Sequence, residues 1–254
     1  MVVFLCEEGF DGILCGVYDA YRSGLKEECL VELEQEYEPR LFAEYRNSRR
    51  DGEKAGKTAE LIRKRMSVAA YEAMYRASLH KSPGRADAVF RFFCLGMQAG
   101  RGVMNRLSDS AVYEIFKMDR YVGNEAHLLT GFTRFERLLS GMLYGVIGPE
   151  NDVLELVAGH FADRLSGEAW ILFDEKRRKA AVHRADGRWA VLDGVGEEQI
   201  LRTFGRVKED GYSEMWNAFF RRIAVEERYN PRCQRNLLPL RYRKYMTEFS
   251  GKKV

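Results

Sequence analysis

Ala180-Ala181-Val182-His183-Arg184-Ala185-Asp186-Gly187-Arg188-Trp189-Ala190-Val191-Leu192 is the stretch that decides the fold class of this chain. Two short runs, Ala180–Arg184 and Arg188–Leu192, flank Asp186-Gly187, a dipeptide whose glycine accepts the positive φ of a tight hairpin. The pattern predicts an antiparallel pair. Upstream, Ala169–Phe173 reads as another strand. Further back, Leu128–Leu139 and Met142–Ile147 read as two more, joined at Ser140-Gly141. Between these groups Leu154, Val157, Ala158, Phe161 and Leu165 recur at helical spacing, with Asn151 or Asp152 as the expected cap. Glu197–Val207 and Ser213–Arg228 return to helix.

The first half has a different period. Val2–Leu5 reads as a short strand, and Phe10, Ile13, Leu14, Val17, Tyr18 and Tyr21 then mark a helix that Gly24 can end. Leu61, Ile62, Met66, Ala69, Ala70 and Met74 form a second stripe behind a Thr58 cap, stopped near Pro83-Gly84. Ala86, Val89, Phe90, Phe93 and Met97 form a third. Val112, Ile115, Phe116 and Val122 form a fourth, capped by Ser108 or Ser110. The expected architecture is α+β, one domain over residues 1–254. A mainly helical half, 1–127, packs with an antiparallel sheet and a basic C-terminal helical segment in 128–254.

Composition excludes several classes. The chain has 254 residues, 46% hydrophobic and 31% charged, with Gly 23 and Pro 5, ordinary values for a globular protein. No apolar stretch approaches the ~18 residues of a membrane-spanning helix. Glu7-Glu8 follow the apolar start at once, so no secretory leader is expected and a cytoplasmic location is. Cys6, Cys15, Cys29, Cys94 and Cys233 form no Cys-x-x-Cys pair, and His80, His127, His160 and His183 share no ligand spacing. Each cysteine is expected to be a small buried hydrophobe, and no metal or cofactor is expected.

Known catalytic patterns are missing. Gly52-Glu53-Lys54-Ala55-Gly56-Lys57-Thr58 resembles a phosphate loop, but three residues separate its glycines where four are needed. It reads as a polar loop, without ATP hydrolysis. Gly96-x-x-x-Gly100-x-Gly102 lies in a helical stripe and reads as close helix packing. No Cys-x-x-x-Cys-x-x-Cys triplet is available for a radical-type iron–sulfur cluster.

Charge is uneven. From Phe219 to Val254 there are ten Lys/Arg against three Asp/Glu, a local charge of +7 in a chain of net +3, which leaves −4 elsewhere. A basic terminal segment on a mildly acidic body points to a polyanionic partner. The phosphate-holding candidates are Arg221, Arg222, Arg228, Arg232, Arg235, Arg241 and Lys244, with Tyr242 and Tyr245 as stacking rings. The competing reading ties these cations up in structural ion pairs.

The same segment carries a family resemblance. Trp216-Asn217-Ala218-Phe219-Phe220-Arg221-Arg222 through Tyr229-Asn230-Pro231-Arg232 to Leu240-Arg241-Tyr242-Arg243-Lys244-Tyr245-Met246 is similar to the end of an uncharacterised bacterial family of probable DNA-metabolism proteins. Cys6-Glu7-Glu8-Gly9-Phe10-Asp11-Gly12, Glu125-Ala126-His127-Leu128-Leu129-Thr130-Gly131-Phe132 and Pro149-Glu150-Asn151-Asp152 agree with it, so the likeness covers nearly the whole chain. Members of that family are typically encoded beside a radical-SAM protein. Relatives carry the domain ahead of a uracil-DNA-glycosylase-like domain, which is not expected in this chain. The resemblance implies work on DNA, in repair or in modified-base metabolism. It carries no catalytic residues over.

Two functions therefore compete. One is a DNA-binding accessory that presents substrate to a radical-SAM partner. The other is a nucleic-acid-processing enzyme with an unrecognised active site, for which Glu125, His127, Arg134 and Glu226 are the first candidates.

Overall fold

A computed structural model describes residues 1–25, 28–209, 211–223, 225 and 229–249. The chain folds as two compact units, Met1–Asn124 and Glu125–Val254.

The first unit holds a sheet that the helical expectation for this half did not include. Strands β1 (Val2–Cys6), β2 (Cys29–Leu33) and β3 (Glu44–Ser48) pair in parallel in the order β2-β1-β3. The central strand is buried along almost its whole length, as parallel strands between covering elements are. Helix α1 (Phe10–Arg22) lies close on it because of two glycines. A Cβ on Gly12 would meet Glu7 O at 2.2 Å, and one on Gly16 would meet Cys6 Cβ and Val31 Cγ1 at 2.9 Å. Gly24, at φ +74°, follows the helix end as expected.

The phosphate-loop lookalike is helix throughout. Helix α2 (Gly52–Arg65) starts at Asp51, whose carboxylate accepts from Glu53 N at 2.8 Å and Lys54 N at 3.1 Å. Glu53 and Lys57 then pair one turn apart at 2.6 Å. Thr58 is therefore not a cap: it sits inside the helix, its hydroxyl donating to Lys54 O at 2.9 Å. The stripe also divides in two. Met66 leaves helical geometry, and Ser67 caps α3 (Val68–Ser78) by accepting from Ala70 N.

Helix α4 (Arg85–Ala99) buries Ala86, Val89, Phe90 and Phe93 as expected, and ends at Gly100 with φ +63° before the 3-10 helix Gly100–Asn105. Gly96 is a packing glycine: a Cβ there would fall 2.1 Å from Met66 Cε and 2.5 Å from its Sδ. Met66 is itself fully buried. Gly96→Ala is accordingly expected to lower stability by about 1–3 kcal/mol, the cost of overpacking a filled core. Urea denaturation of the variant measures this, and an unchanged midpoint would mean that Met66 swings aside freely.

Helix α5 (Ser110–Phe132) is longer than the sequence pattern suggested. Residues 128–132, expected in a strand, continue the spacing of Ile115, Met118, Val122 and Ala126 to Leu129, all at or below 9% exposure. Leu128 and Leu129 side by side imitate the start of a strand, but the 3.6-residue period governs here. Asp109 rather than Ser108 or Ser110 bonds the first turn, accepting from Ala111 N at 3.1 Å.

The second unit contains a five-stranded sheet, β4 (Phe135–Arg137), β5 (Leu143–Ile147), β6 (Trp170–Asp174), β7 (Lys179–His183) and β8 (Trp189–Leu192), in sequential order. It is mixed rather than antiparallel: β5 and β6 run parallel, joined through α6 (Leu154–Arg164), and the other pairs are antiparallel. Both hairpins form where expected. At the second, Gly187 N donates to Arg184 O and Arg184 N to Arg188 O, each at 2.9 Å, with Gly187 at φ +84°. That is a three-residue loop closed by a glycine bulge. Helix α6 begins without a side-chain cap. Asn151 is bonded elsewhere, and Asp152 pairs with Lys179 at 2.7 Å.

One face of the sheet buries Ile171, Phe173 and Ala180 with Leu138, Tyr144 and Ile200, the last from α7 (Glu197–Phe204). On the alternate positions of β6 Trp170 stacks on His183, centroids 4.9 Å apart. Three more helices follow: α8 (Tyr212–Ile223), α9 (Pro231–Leu237) and α10 (Leu240–Arg243). Cys6, Cys15 and Cys29 are buried and Cys94 half-buried, whereas Cys233 is exposed. No helix among the described residues is long and apolar enough to cross a membrane.

Candidate nucleic-acid interface

The basic segment is anchored at a buried carboxylate. Glu125, 3% exposed, accepts four hydrogen bonds: from Glu150 N at 2.9 Å, Asn151 N at 2.8 Å, Asn151 Nδ2 at 2.6 Å and the Tyr242 hydroxyl at 3.0 Å. Tyr242 is 1% exposed, its ring packed on Phe132. Burial pushes its hydroxyl up to about 12. Pro239 sets up the turn that delivers this tyrosine, so α10 is fixed through a side chain the sequence marks only as aromatic. In this structure Tyr242 is a structural anchor and has no free face for a base.

Around the anchor several cations have partners. Arg241 donates to the Tyr242 hydroxyl at 3.0 Å and lies 3.4 Å from the Glu150 carboxylate. Lys244 and the Tyr245 hydroxyl both bond the Glu175 carboxylate. Arg134 makes a two-pronged pair with Glu248, at 2.7 and 3.2 Å. Burial works against the charge on Glu248, but the bonds from Arg134 and the Trp216 indole hold its carboxyl below the usual range.

A second set of cations stands apart. Arg221, Arg222, Arg232 and Arg235 are exposed, and none has a carboxylate partner among the described residues. Arg235 bonds its own helix, donating to Pro231 O at 3.3 Å. Helix α9 starts at Asn230, whose side chain accepts from Cys233 N at 3.0 Å, with Pro231 in the first turn. The helix buries nothing, so it presents its guanidinium groups to solvent. Arg228 lies outside the described residues.

Of the four enzyme candidates, the three described, Glu125, His127 and Arg134, share no hydrogen bond or ion pair with one another. Glu125 has its oxygens filled, and His127, two positions on and about 200° around the helix, is exposed. Arg134 is committed to Glu248, and Glu226 lies outside the described residues. No group of three His, Cys, Asp or Glu among the described residues could hold a metal ion.

Among the concavities of this unit, two that sequence reasoning missed border the basic segment. One, about 280 Å³, is polar and lined by Glu136, Tyr144, Glu175, Glu197, Lys244 and Tyr245, among others. Tyr144 donates to Glu197 at 3.1 Å, and burial raises both tyrosines well above their ordinary range. Gly148 makes room for Tyr245, since a Cβ there would lie 1.7 Å from its hydroxyl. The other is an apolar groove of about 500 Å³ between α8 and Phe135.

A family model described as a domain of unknown function, DUF4130, matches residues 83–248. No curated protein and no solved structure matches the chain. The family match runs from the start of α4 to the 3-10 helix Thr247–Phe249 and takes in the Glu125 anchor, both concavities and the basic segment.

Proposed function

The chain belongs to the DUF4130 family, and we propose that it is a DNA-binding accessory protein of DNA repair or modified-base metabolism, working with a radical-SAM partner in the cytoplasm. One observation carries the DNA side. Arg221, Arg222, Arg232 and Arg235 remain exposed without carboxylate partners among the described residues, on a segment of net +7. Among the described residues, structural ion pairs account for Arg134, Arg241 and Lys244 and for none of those four cations. Cations held out to solvent on helices suit phosphate contacts, which position a protein on nucleic acid without reading sequence. The repair context and the radical-SAM partner rest on the resemblance carried by residues 216–246.

A pull-down of the radical-SAM protein by this chain, with and without DNA, tests the accessory role. The expected result is recovery of the partner, with DNA retained in the complex at low salt. Recovery of neither would contradict it. The polar pocket favours the enzyme as a second reading, because it gathers two tyrosines, three carboxylates and a lysine. That reading requires a chemically altered nucleic acid in the absence of any partner, and Tyr245→Phe should slow its formation.

A further inference from the structure

We propose that the groove along α8 is a stacking site for the bases of single-stranded nucleic acid. This rests on the DNA-binding reading and adds the class of substrate to it. Tyr212, Met215, Trp216, Phe219 and Ile223 recur at intervals of three and four, the stripe by which a helix normally faces a core. Yet no residue of α8 is buried, and Tyr212, Trp216 and Phe219 are 70%, 38% and 54% exposed. The stripe is aromatic at three of five positions, with the Trp216 and Phe219 centroids 5.9 Å apart.

Charge identifies the occupant. The Arg134 guanidinium lies 5.3 Å from the Trp216 ring centroid, a planar cation beside an aromatic face at the groove wall. One turn on, Arg221 and Arg222 are exposed without carboxylate partners among the described residues, against the single acid Glu214 on this helix. Aromatic faces flanked by exposed guanidinium groups match a strand with exposed bases and phosphates at regular intervals. A duplex keeps its bases stacked on one another and offers this groove only its backbone. The groove, about 500 Å³, has room for a base ring.

Fluorescence anisotropy with three probes of equal length tests this: single-stranded DNA, duplex DNA, and an abasic strand with the same sugar-phosphate backbone. The intact chain should bind the base-bearing strand about 5- to 150-fold more tightly than the abasic one, the range for one stacked base. Phe219→Ala and Trp216→Ala should each erase that margin while leaving duplex affinity and its salt dependence unchanged. Trp216 also bonds Glu248, so Phe219→Ala is the variant that removes a ring without removing a hydrogen bond. Equal affinity for the base-bearing and abasic strands, with duplex binding intact, would overturn the stacking site and leave the backbone grip standing. Failure to bind any probe would overturn both. Self-association or binding to anionic vesicles that Phe219→Ala abolishes, with oligonucleotide affinities unmoved, would overturn the stacking site in favour of a protein or membrane partner.

Discussion

Glu125→Ala is expected to lower the stability of the folded chain by about 3–5 kcal/mol. The substitution removes one carboxylate and strands four donors, two of them backbone N–H groups, around a side chain that is 3% exposed. Each buried donor left without a partner costs roughly 1–3 kcal/mol, and removing one partner from a buried polar cluster costs about 3–5 kcal/mol. A melting-temperature loss of roughly 10 °C follows for a chain of this length. Tyr242→Phe removes only one of the four bonds and should cost about 1 kcal/mol. It should also change the alkaline limb. The raised folded value of about 12 means that the Tyr242 contribution is complete below its unfolded value near pH 10. That contribution is lost as pH rises towards 12. The phenylalanine variant should therefore lose less stability than the parent across that window. An unfolding midpoint that Glu125→Ala leaves in place, with nucleic-acid turnover abolished, would instead make Glu125 a catalytic group.

Much of the fold was legible because its signals are local. Gly24, Gly187 and the stripe from Ala86 to Phe93 each state a φ value or a period that tertiary structure did not override. The failures have physical causes. Strand β3, Glu44-Tyr45-Arg46-Asn47-Ser48, carries no alternating apolar face, because as a polar edge strand it buries only Ser48. Strand β2, by contrast, buries Cys29, Val31 and Leu33 in clean alternation, so its signal was present but short. Residues 128–132 read as strand by composition, but the period of α5 runs through them and is the stronger signal. At the site, the +7 charge identified the segment, but sequence cannot tell a guanidinium held by Glu150 or Glu248 from one held by water. Nor does it reveal that Tyr242 closes a bond to a residue 117 positions away.

The division of the cations leads to the second large effect. Replacing Arg221, Arg222, Arg232 and Arg235 together by alanine should weaken duplex DNA binding at every sequence alike. Each phosphate contact contributes about −0.9 to the slope of log affinity against log salt, so four contacts contribute about −3.6. Between 50 and 200 mM salt that is a roughly 150-fold difference in salt sensitivity between parent and variant. Stability should barely move, since none of the four has a carboxylate partner among the described residues. Arg241→Ala should behave differently from Arg235→Ala. Arg241 is spent on Glu150 and Tyr242, so its loss should lower stability more and change the slope less.

The salt dependence of duplex DNA affinity, measured by fluorescence anisotropy on the parent and the fourfold variant with folding checked by circular dichroism, is the most direct test of the DNA-binding account. The account predicts a steep slope for the parent and one shallower by up to about 3.6 for the still-folded variant. Identical slopes, or a variant that loses stability while keeping its DNA affinity, would contradict it.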